Sequence, residues 1–234
     1  MNFSAVPYSS SWGRALRLPL RLIPADAVLP VLQGPLRGMK WIAGSGNHGC
    51  WLGSYEHHKQ LLFHAAIERE SVVWDIGANV GLYSLVATRK ASRVIAVEPS
   101  AENVRYLERH IALNGIRNVE VLVAAVGHEC GRESFYCGDN RSTGHLARGS
   151  LEVDVITLDS LCAKFGAPDV IKIDVEGAEY LALQGAERCL AANPVLFLAT
   201  HSSTLAGQCS DLLRSAGYVS TAIAEDEFIF SRRN

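Results

Sequence analysis

Short apolar, β-branched runs alternate along the chain with amphipathic segments of about ten to fifteen residues, the pattern of βαβ units around a parallel sheet. Val72-Val73-Trp74-Asp75 reads as a buried strand that turns at residues 77–81 into a helix over 80–90. Residues 94–98 predict a second strand, and 101–113 a helix stopped by Asn114-Gly115, where glycine takes the left-handed position. Further strands are expected over 119–123, 170–174 and 195–199, with helices over 179–190 and 205–215. Residues 219–223 and 227–230 close the pattern as an antiparallel pair around the acidic turn Glu225-Asp226. Ahead of the first strand, residues 57–70 place Leu61, Leu62, Ala65 and Ala66 at helical spacing, as in a helix lying against a sheet edge.

The alternation fails in two places. Between 125 and 155 the glycines Gly127, Gly131, Gly138, Gly144 and Gly149 punctuate short polar segments, which predicts a hairpin and a flexible surface loop. Asp159 is the expected cap of a short helix ending at Gly166, with Pro168 just beyond. Residues 1–50, with Gly34-Pro35 and Gly44-Ser45-Gly46, favour turns and short helices and read as an N-terminal arm or cap on a domain over 51–234. Before Asp26 that arm carries Arg14, Arg17 and Arg21 among Leu16, Leu18, Leu20, Leu22 and Ile23, a composition seen in transit peptides and interfacial helices. Pro19 and Pro24 would break a long helix there, so packing of the arm on the domain is expected ahead of peripheral membrane contact.

Composition narrows the partners. The 234 residues are 48% hydrophobic and 20% charged, which suits one domain with a buried core. A net charge of −2 gives no basic field, so nucleic acid is not expected as the substrate. The six cysteines, Cys50, Cys130, Cys137, Cys162, Cys189 and Cys209, show neither C-x-x-C pairs nor zinc-ligand spacing. They read as reduced, mostly buried thiols of a cytoplasmic protein. The sequence holds no apolar stretch of about 18 to 20 residues, so no transmembrane segment is expected.

Three strand tips carry candidate chemistry. At the first, Asp75-Ile76-Gly77-Ala78-Asn79-Val80-Gly81 makes a glycine turn into a helix, where a ligand can come close to the backbone. The G-x-G-x-x-G spacing of dinucleotide sites fails, because Asn79 replaces the second glycine and Gly81 arrives one residue early. An acid at this tip sits badly beside a pyrophosphate but suits a cation such as S-adenosylmethionine, with its ammonium and sulfonium groups. Glu98, 23 residues after Asp75, is placed to accept hydrogen bonds from ribose hydroxyls, although an acid before Pro99 could equally begin a helix. Asp174 ends the fourth strand and points into the crevice where parallel sheets bind ligands, with Glu176 two residues on facing the same way. The plainer reading of acids here is a favoured helix N-terminus, which fits Glu179 better than Asp174.

These blocks, together with the opening Gly49-Cys50-Trp51-Leu52-Gly53-Ser54-Tyr55-Glu56, resemble the FkbM family of methyltransferases. The matching segments are WDIGANVGLYSLVA, VIAVEPSAENVRYLERHIALNG, VITLDSL and VIKIDVEGAEYLALQGAE, over about residues 50 to 200. The resemblance implies an α/β, Rossmann-like methyltransferase fold: a mostly parallel sheet with a C-terminal antiparallel strand pair and helices on both faces. It implies S-adenosylmethionine as cofactor. Asp75, Gly77, Ala78, Asn79 and Gly81 would lie against its methionine part, Glu98 and Pro99 by the ribose, Tyr55 and Glu56 at the cofactor's edge, and Asp174 near the methyl group. It also implies a hydroxylated acceptor, a sugar, glycolipid or polyketide-like natural product. Many members carry a Glu near the end of the fifth strand, where this chain reads Leu198-Ala199-Thr200-His201.

Methyl transfer to an alcohol needs alignment and removal of the hydroxyl proton. Asp174, Glu176 and His201, on adjacent strand tips, are the candidate catalytic residues, and imidazole suits proton uptake near neutral pH. No metal is required; Asp174 and Glu176 would suit magnesium with a third ligand, but the sequence identifies no complete set. The alternatives are an NAD(P)-dependent oxidoreductase, whose glycine fingerprint is missing, and a catalytically silent interaction module, which the acids at all three tips oppose.

Overall fold

The computed structural model describes residue 20 and residues 22–136, 145–146, 151–224 and 226–232. A short antiparallel pair, β1 (Val28–Pro30) and β2 (Lys40–Ile42), leads into helices α1 (His48–Leu52) and α2 (His57–Ala66). Strands and helices then alternate as β3 (Val72–Ile76), α3 (Leu82–Thr88), β4 (Arg93–Val97), α4 (Ala101–Leu113) and β5 (Val119–Leu122). The next four strands are β6 (Ala125–Val126), β7 (Gly131–Tyr136), β8 (His145–Leu146) and β9 (Leu151–Ile156). Alternation resumes with α5 (Leu158–Phe165), β10 (Val170–Ile173), α6 (Glu179–Gln184) and α7 (Glu187–Ala191). The chain closes on β11 (Val195–Ala199), α8 (Ser203–Ser215), β12 (Tyr218–Ala224) and β13 (Glu227–Arg232).

The main sheet has the order β12-β13-β11-β10-β3-β4-β5. Strands β5, β4, β3, β10 and β11 run parallel, and β13 is antiparallel to both β11 and β12. This is a doubly wound, Rossmann-like sheet with the expected C-terminal antiparallel pair. Because the chain runs outward from β3 to β5 and then returns to β10 on the other side of β3, the strand order reverses between β3 and β10, where such sheets bind ligands.

Alternating side chains cover both faces of the sheet. Val73, Val94, Ala96 and Phe197 pack with Phe63 of α2, Leu85 of α3 and Leu107 of α4. Trp74, Ile76, Ile95 and Ile171 pack with Leu161 of α5, Leu183 of α6, Leu190 of α7 and Leu213 of α8.

Several elements depart from the sequence pattern. Helix α2 ends at Ala66 and buries Lys59, Gln60 and Phe63, whereas Leu61, expected on the inner face, is 45% exposed. Thr157, not Asp159, caps α5, in a capping box with Ser160. Asp159 instead accepts a bond of 3.0 Å from the Cys189 N–H. The helix expected over 179–190 breaks into α6 and α7 at Gly185, where a Cβ would stand 2.6 Å from the Gly127 carbonyl oxygen. The segment expected as a hairpin and loop holds a second sheet of order β6-β9-β7-β8, in which β7 is antiparallel to both β8 and β9.

Residues 28–45 contribute strands and core residues as well as turns. Trp41 is fully buried and stacks on His110 of α4 at 4.1 Å between ring centroids. The Ile42 N–H donates to His110 Nε2 at 3.1 Å, so Nδ1 carries the proton and donates to the Val80 carbonyl at 2.9 Å. Burial depresses the His110 pKa to about 4. Among the described cysteines, Cys50, Cys189 and Cys209 are buried, Cys162 is half-buried and Cys130 exposed, all as free thiols. Arg14, Leu16, Arg17, Leu18, Pro19, Arg21, Cys137, Gly138, Gly144, Gly149 and Glu225 lie outside the described residues. No described helix is long and apolar enough to cross a membrane.

Candidate active site

The turn after β3 brings three strand tips together. Gly77 has φ +75°, and a Cβ there would strike the carbonyl oxygen of Asp174 at the tip of β10. Asn79 also takes a left-handed conformation, φ 50°, which its short polar side chain tolerates; its Oδ1 accepts from the Val80 N–H at 2.7 Å. Asparagine therefore stands where a dinucleotide site has glycine. The Gly77 and Ala78 N–H groups both donate to the Val97 carbonyl at 2.9 Å, and the Gly81 N–H donates to Ala78 at 2.8 Å. The Asn79 N–H donates to Glu98 Oε2 at 2.8 Å. All five amides from 77 to 81 are thus taken up by protein acceptors, and the turn itself offers no cradle of free N–H groups for a phosphate.

Asp75 lies beneath this turn, 0% exposed, accepting the Ser84 hydroxyl at 2.6 Å. Opposite it in the β3–β10 register stands Lys172. The Lys172 ammonium donates to the Gly77 carbonyl at 2.7 Å and lies 3.4 Å from Asp75 Oδ1 and 3.5 Å from Asp174 Oδ2. Burial on its own would lower the Lys172 pKa, but Asp174, Asp75 and Glu56 outweigh it and raise the value. Sequence reasoning passed over Lys172; the available signal was a cation inside the apolar run Val170-Ile171-Lys172-Ile173.

Glu98 is 6% exposed at the tip of β4. Besides Asn79 it accepts from the Ser100 N–H at 3.0 Å and the Asn103 side-chain amide at 3.1 Å, both on Oε1. Burial raises its pKa, opposed by these donors. Pro99, half-buried, separates it from Ser100, which caps α4.

Asp174, Glu176 and His201 converge between the tips of β10 and β11. His201 Nε2 lies 3.2 Å from Glu176 Oε2 and 3.6 Å from Asp174 Oδ1, and the three side chains are 32%, 31% and 26% exposed. On the other side of the ring, Nδ1 is 2.7 Å from Glu179 Oε1. Glu179 is fully buried, so it is not the solvated helix-end acid that its sequence position implied. The bond to Glu179 raises the His201 pKa, against burial, with Glu176 and Asp174 adding to the rise. Burial alone would raise the Asp174 pKa, but Lys172, Lys59 and His201 pull it below the usual carboxylate value. For Glu176, burial dominates and raises it.

Tyr55 and Glu56 lie at the start of α2, where Glu56 is near enough to Lys172 to help raise its pKa and Asp174 near enough to Tyr55 to help raise that of its phenol. Glu56 accepts the Tyr83 hydroxyl at 2.6 Å and lies 3.6 Å from the Lys59 ammonium, which also pairs with Glu227 at 2.8 Å. Tyr55 is 39% exposed, and burial of its phenol followed by the nearby Glu56 raises its pKa. Glu56, His57, Lys59, Ile223 and Glu227 line a cleft of about 350 Å³ between α2 and the β12–β13 pair.

Residues 75–220 match the family model described as the methyltransferase FkbM domain. The chain is 27% identical over 176 residues to the hexuronic acid methyltransferase AglP of Haloferax volcanii, covering 71% of this chain and 72% of that one. Among solved structures, it is similar to a methyltransferase FkbM from Methylobacillus flagellatus at a TM-score of 0.52 and 20% identity, covering 80% of this chain and 55% of that one. It is also similar to a precorrin-6y C5,15-methyltransferase from Geobacter metallireducens at a TM-score of 0.53 and 14% identity, covering 76% of this chain and 89% of that one.

Proposed function

This chain belongs to the methyltransferase FkbM family, and on that premise we propose that it is an S-adenosylmethionine-dependent O-methyltransferase acting on a hydroxyl of a sugar or sugar-like natural product. The observation that carries the reading is the crevice at the tips of β3, β4 and β10: its turn amides are already partnered, and its open edge is acidic. Such a crevice disfavours a pyrophosphate and favours a cationic sulfonium ligand. Gly77, Ala78, Asn79 and Gly81 would form the wall against the methionine part, with Asp75 and Lys172 bracing that wall from beneath. Glu98 has three of about four acceptor positions filled and one left for a ribose hydroxyl.

The bound cofactor supplies a methyl carbon on a sulfonium, whose C–S bond leaves its electron pair on sulfur as the acceptor oxygen takes the carbon. The chain's own part is to align that oxygen and take up the hydroxyl proton at the Asp174–Glu176–His201 cluster. The cleft between α2 and the β12–β13 pair, mostly apolar with Glu56 and Glu227 at its wall, is a candidate seat for the acceptor. The relative from Haloferax volcanii is named for a hexuronic acid, which makes a sugar acid the first acceptor to try. Its hydroxyls fit better than its carboxylate, which has no proton to lose and would meet Asp174 and Glu176 with like charge.

Methyl transfer to hexoses and hexuronic acids, followed in single turnovers, tests the reading. His201→Ala and Glu176→Gln are expected to slow turnover by about 10²- to 10⁴-fold while leaving S-adenosylhomocysteine affinity within a few fold. Unchanged turnover in both folded variants would remove the cluster from the chemistry.

A further inference from the structure

We propose that Asp174, Glu176 and His201 bind a single divalent first-row cation. For the chemistry such an ion would serve, the proposal rests on the methyltransferase reading; for the binding itself it does not.

The donor atoms are Asp174 Oδ1, Glu176 Oε2 and His201 Nε2, and one such atom from each residue lies within 4.8 Å of the other two. Two ligands about 2.1 Å from a common ion, at octahedral or tetrahedral angles, stand about 3.0 to 3.4 Å apart. The observed 3.2 Å and 3.6 Å are therefore close to ligand edges, and small side-chain rotations would complete them.

The orientation of His201 is the second support. Glu179 Oε1 accepts from Nδ1 at 2.7 Å, which fixes the Nδ1–H tautomer of the neutral ring and turns the Nε2 lone pair toward the two carboxylates. A lone pair facing two carboxylates is repulsive unless a positive charge, a proton or a metal ion, stands between them. An outer carboxylate holding the far nitrogen of a ligating histidine is the usual arrangement at metal sites.

The charge balance decides which positive charge fits. Asp174, Glu176 and Glu179 surround His201, and Asp174 shares the Lys172 ammonium with Asp75, while Lys59 is engaged by Glu56 and Glu227. Protonating His201 still leaves two negative charges uncompensated; a divalent cation on the neutral ring leaves one. Glu179 itself is 0% exposed and accepts the Gly177 N–H at 3.0 Å as well as His201, so the carboxylate that orients the ring is held in place. One imidazole with two carboxylates suits manganese, iron(II) or zinc better than calcium. The three ligands are each partly exposed, so an ion would keep coordination positions open for an acceptor hydroxyl and lower its pKa, and the proton would then pass to a carboxylate oxygen not held by the ion or to solvent water.

The test is titration of the full chain with Mn²⁺, followed by loss of the free-ion electron paramagnetic resonance signal, with S-adenosylhomocysteine titrated separately by calorimetry. We expect saturation at one Mn²⁺ per chain, weakened at least tenfold by His201→Ala and by Glu176→Gln, and about 10- to 100-fold by Glu179→Gln. Absence of saturable binding, or binding that His201→Ala and Glu176→Gln leave unchanged, would overturn the proposal. Binding of S-adenosylhomocysteine without Mn²⁺ overturns the metal site and leaves the methyltransferase reading standing. Binding of Mn²⁺ without S-adenosylhomocysteine supports the site and counts against that reading.

Discussion

Lys172 is a cation in a strand whose flanking residues, Ile171 and Ile173, are 0% exposed. It is retained there because it stands across the sheet from Asp75, whose carboxylate has otherwise only the Ser84 hydroxyl. A methionine at this position would match the length and the burial but leave Asp75 as an uncompensated buried charge. Removing one partner of a buried pair typically costs about 3 to 5 kcal/mol. Lys172→Met is therefore expected to lower the unfolding free energy read from urea titration by an amount of that order, and an unchanged value would show that Asp75 is satisfied without it. His201 teaches a related lesson: the Asp174–Glu176–His201 grouping was legible from adjacent strand tips. Its outer partner Glu179 was not, because an acid in the first turn of a helix reads first as a dipole partner.

At the scale of elements, the regular pieces were legible wherever burial set the period. Strands β3, β4, β10 and β11 fall within one or two residues of the apolar runs, since each is covered by helices on both faces. Helix α2 was placed in the right segment, and of its expected inner residues Leu62 and Ala66 pack against the core while Leu61 and Ala65 are outside. Its inner face carries Lys59 to meet Glu56 and Glu227, so hydrophobicity alone pointed to Leu61, which is outside. The break between α6 and α7 is set at Gly185 by the close approach of Gly127, a contact between segments far apart in sequence that local periodicity does not encode. The glycines between 125 and 155 drew attention to turns and hid the pairing of β7 with β9. The glycine turn after β3 was located correctly, yet its spacing did not reveal that its amides bind β4 and that Gly77 makes room for the backbone of β10.

At the scale of the whole molecule, the order of strands and the reversal between β3 and β10 place Asp75, Glu98, Asp174 and His201 at one end of the sheet. Residues 40–45 are tied to that body through His110, which receives Ile42, stacks on Trp41 and donates to Val80. Its folded-state pKa of about 4 lies below the unfolded value of 6.5. The native state therefore refuses a proton that the unfolded chain accepts, so the stabilisation is complete above about pH 6.5 and is lost as pH falls toward about 4. The loss amounts to about 3 kcal/mol. Urea midpoints at pH 7 and pH 4.5 should fall further apart for the parent chain than for His110→Gln, and equal losses would remove His110 as their source.

All of these features serve one claim, that the crevice at the strand tips holds a cationic adenosyl cofactor rather than a dinucleotide. Calorimetric titration of the full chain with S-adenosylhomocysteine and, in parallel, with NAD tests it most directly. We expect S-adenosylhomocysteine to bind at one site per chain, with affinity reduced at least tenfold by Glu98→Ala, about 1.4 kcal/mol, and NAD to give no binding heat. Saturable binding of NAD, or binding of neither ligand by the folded chain, would contradict it.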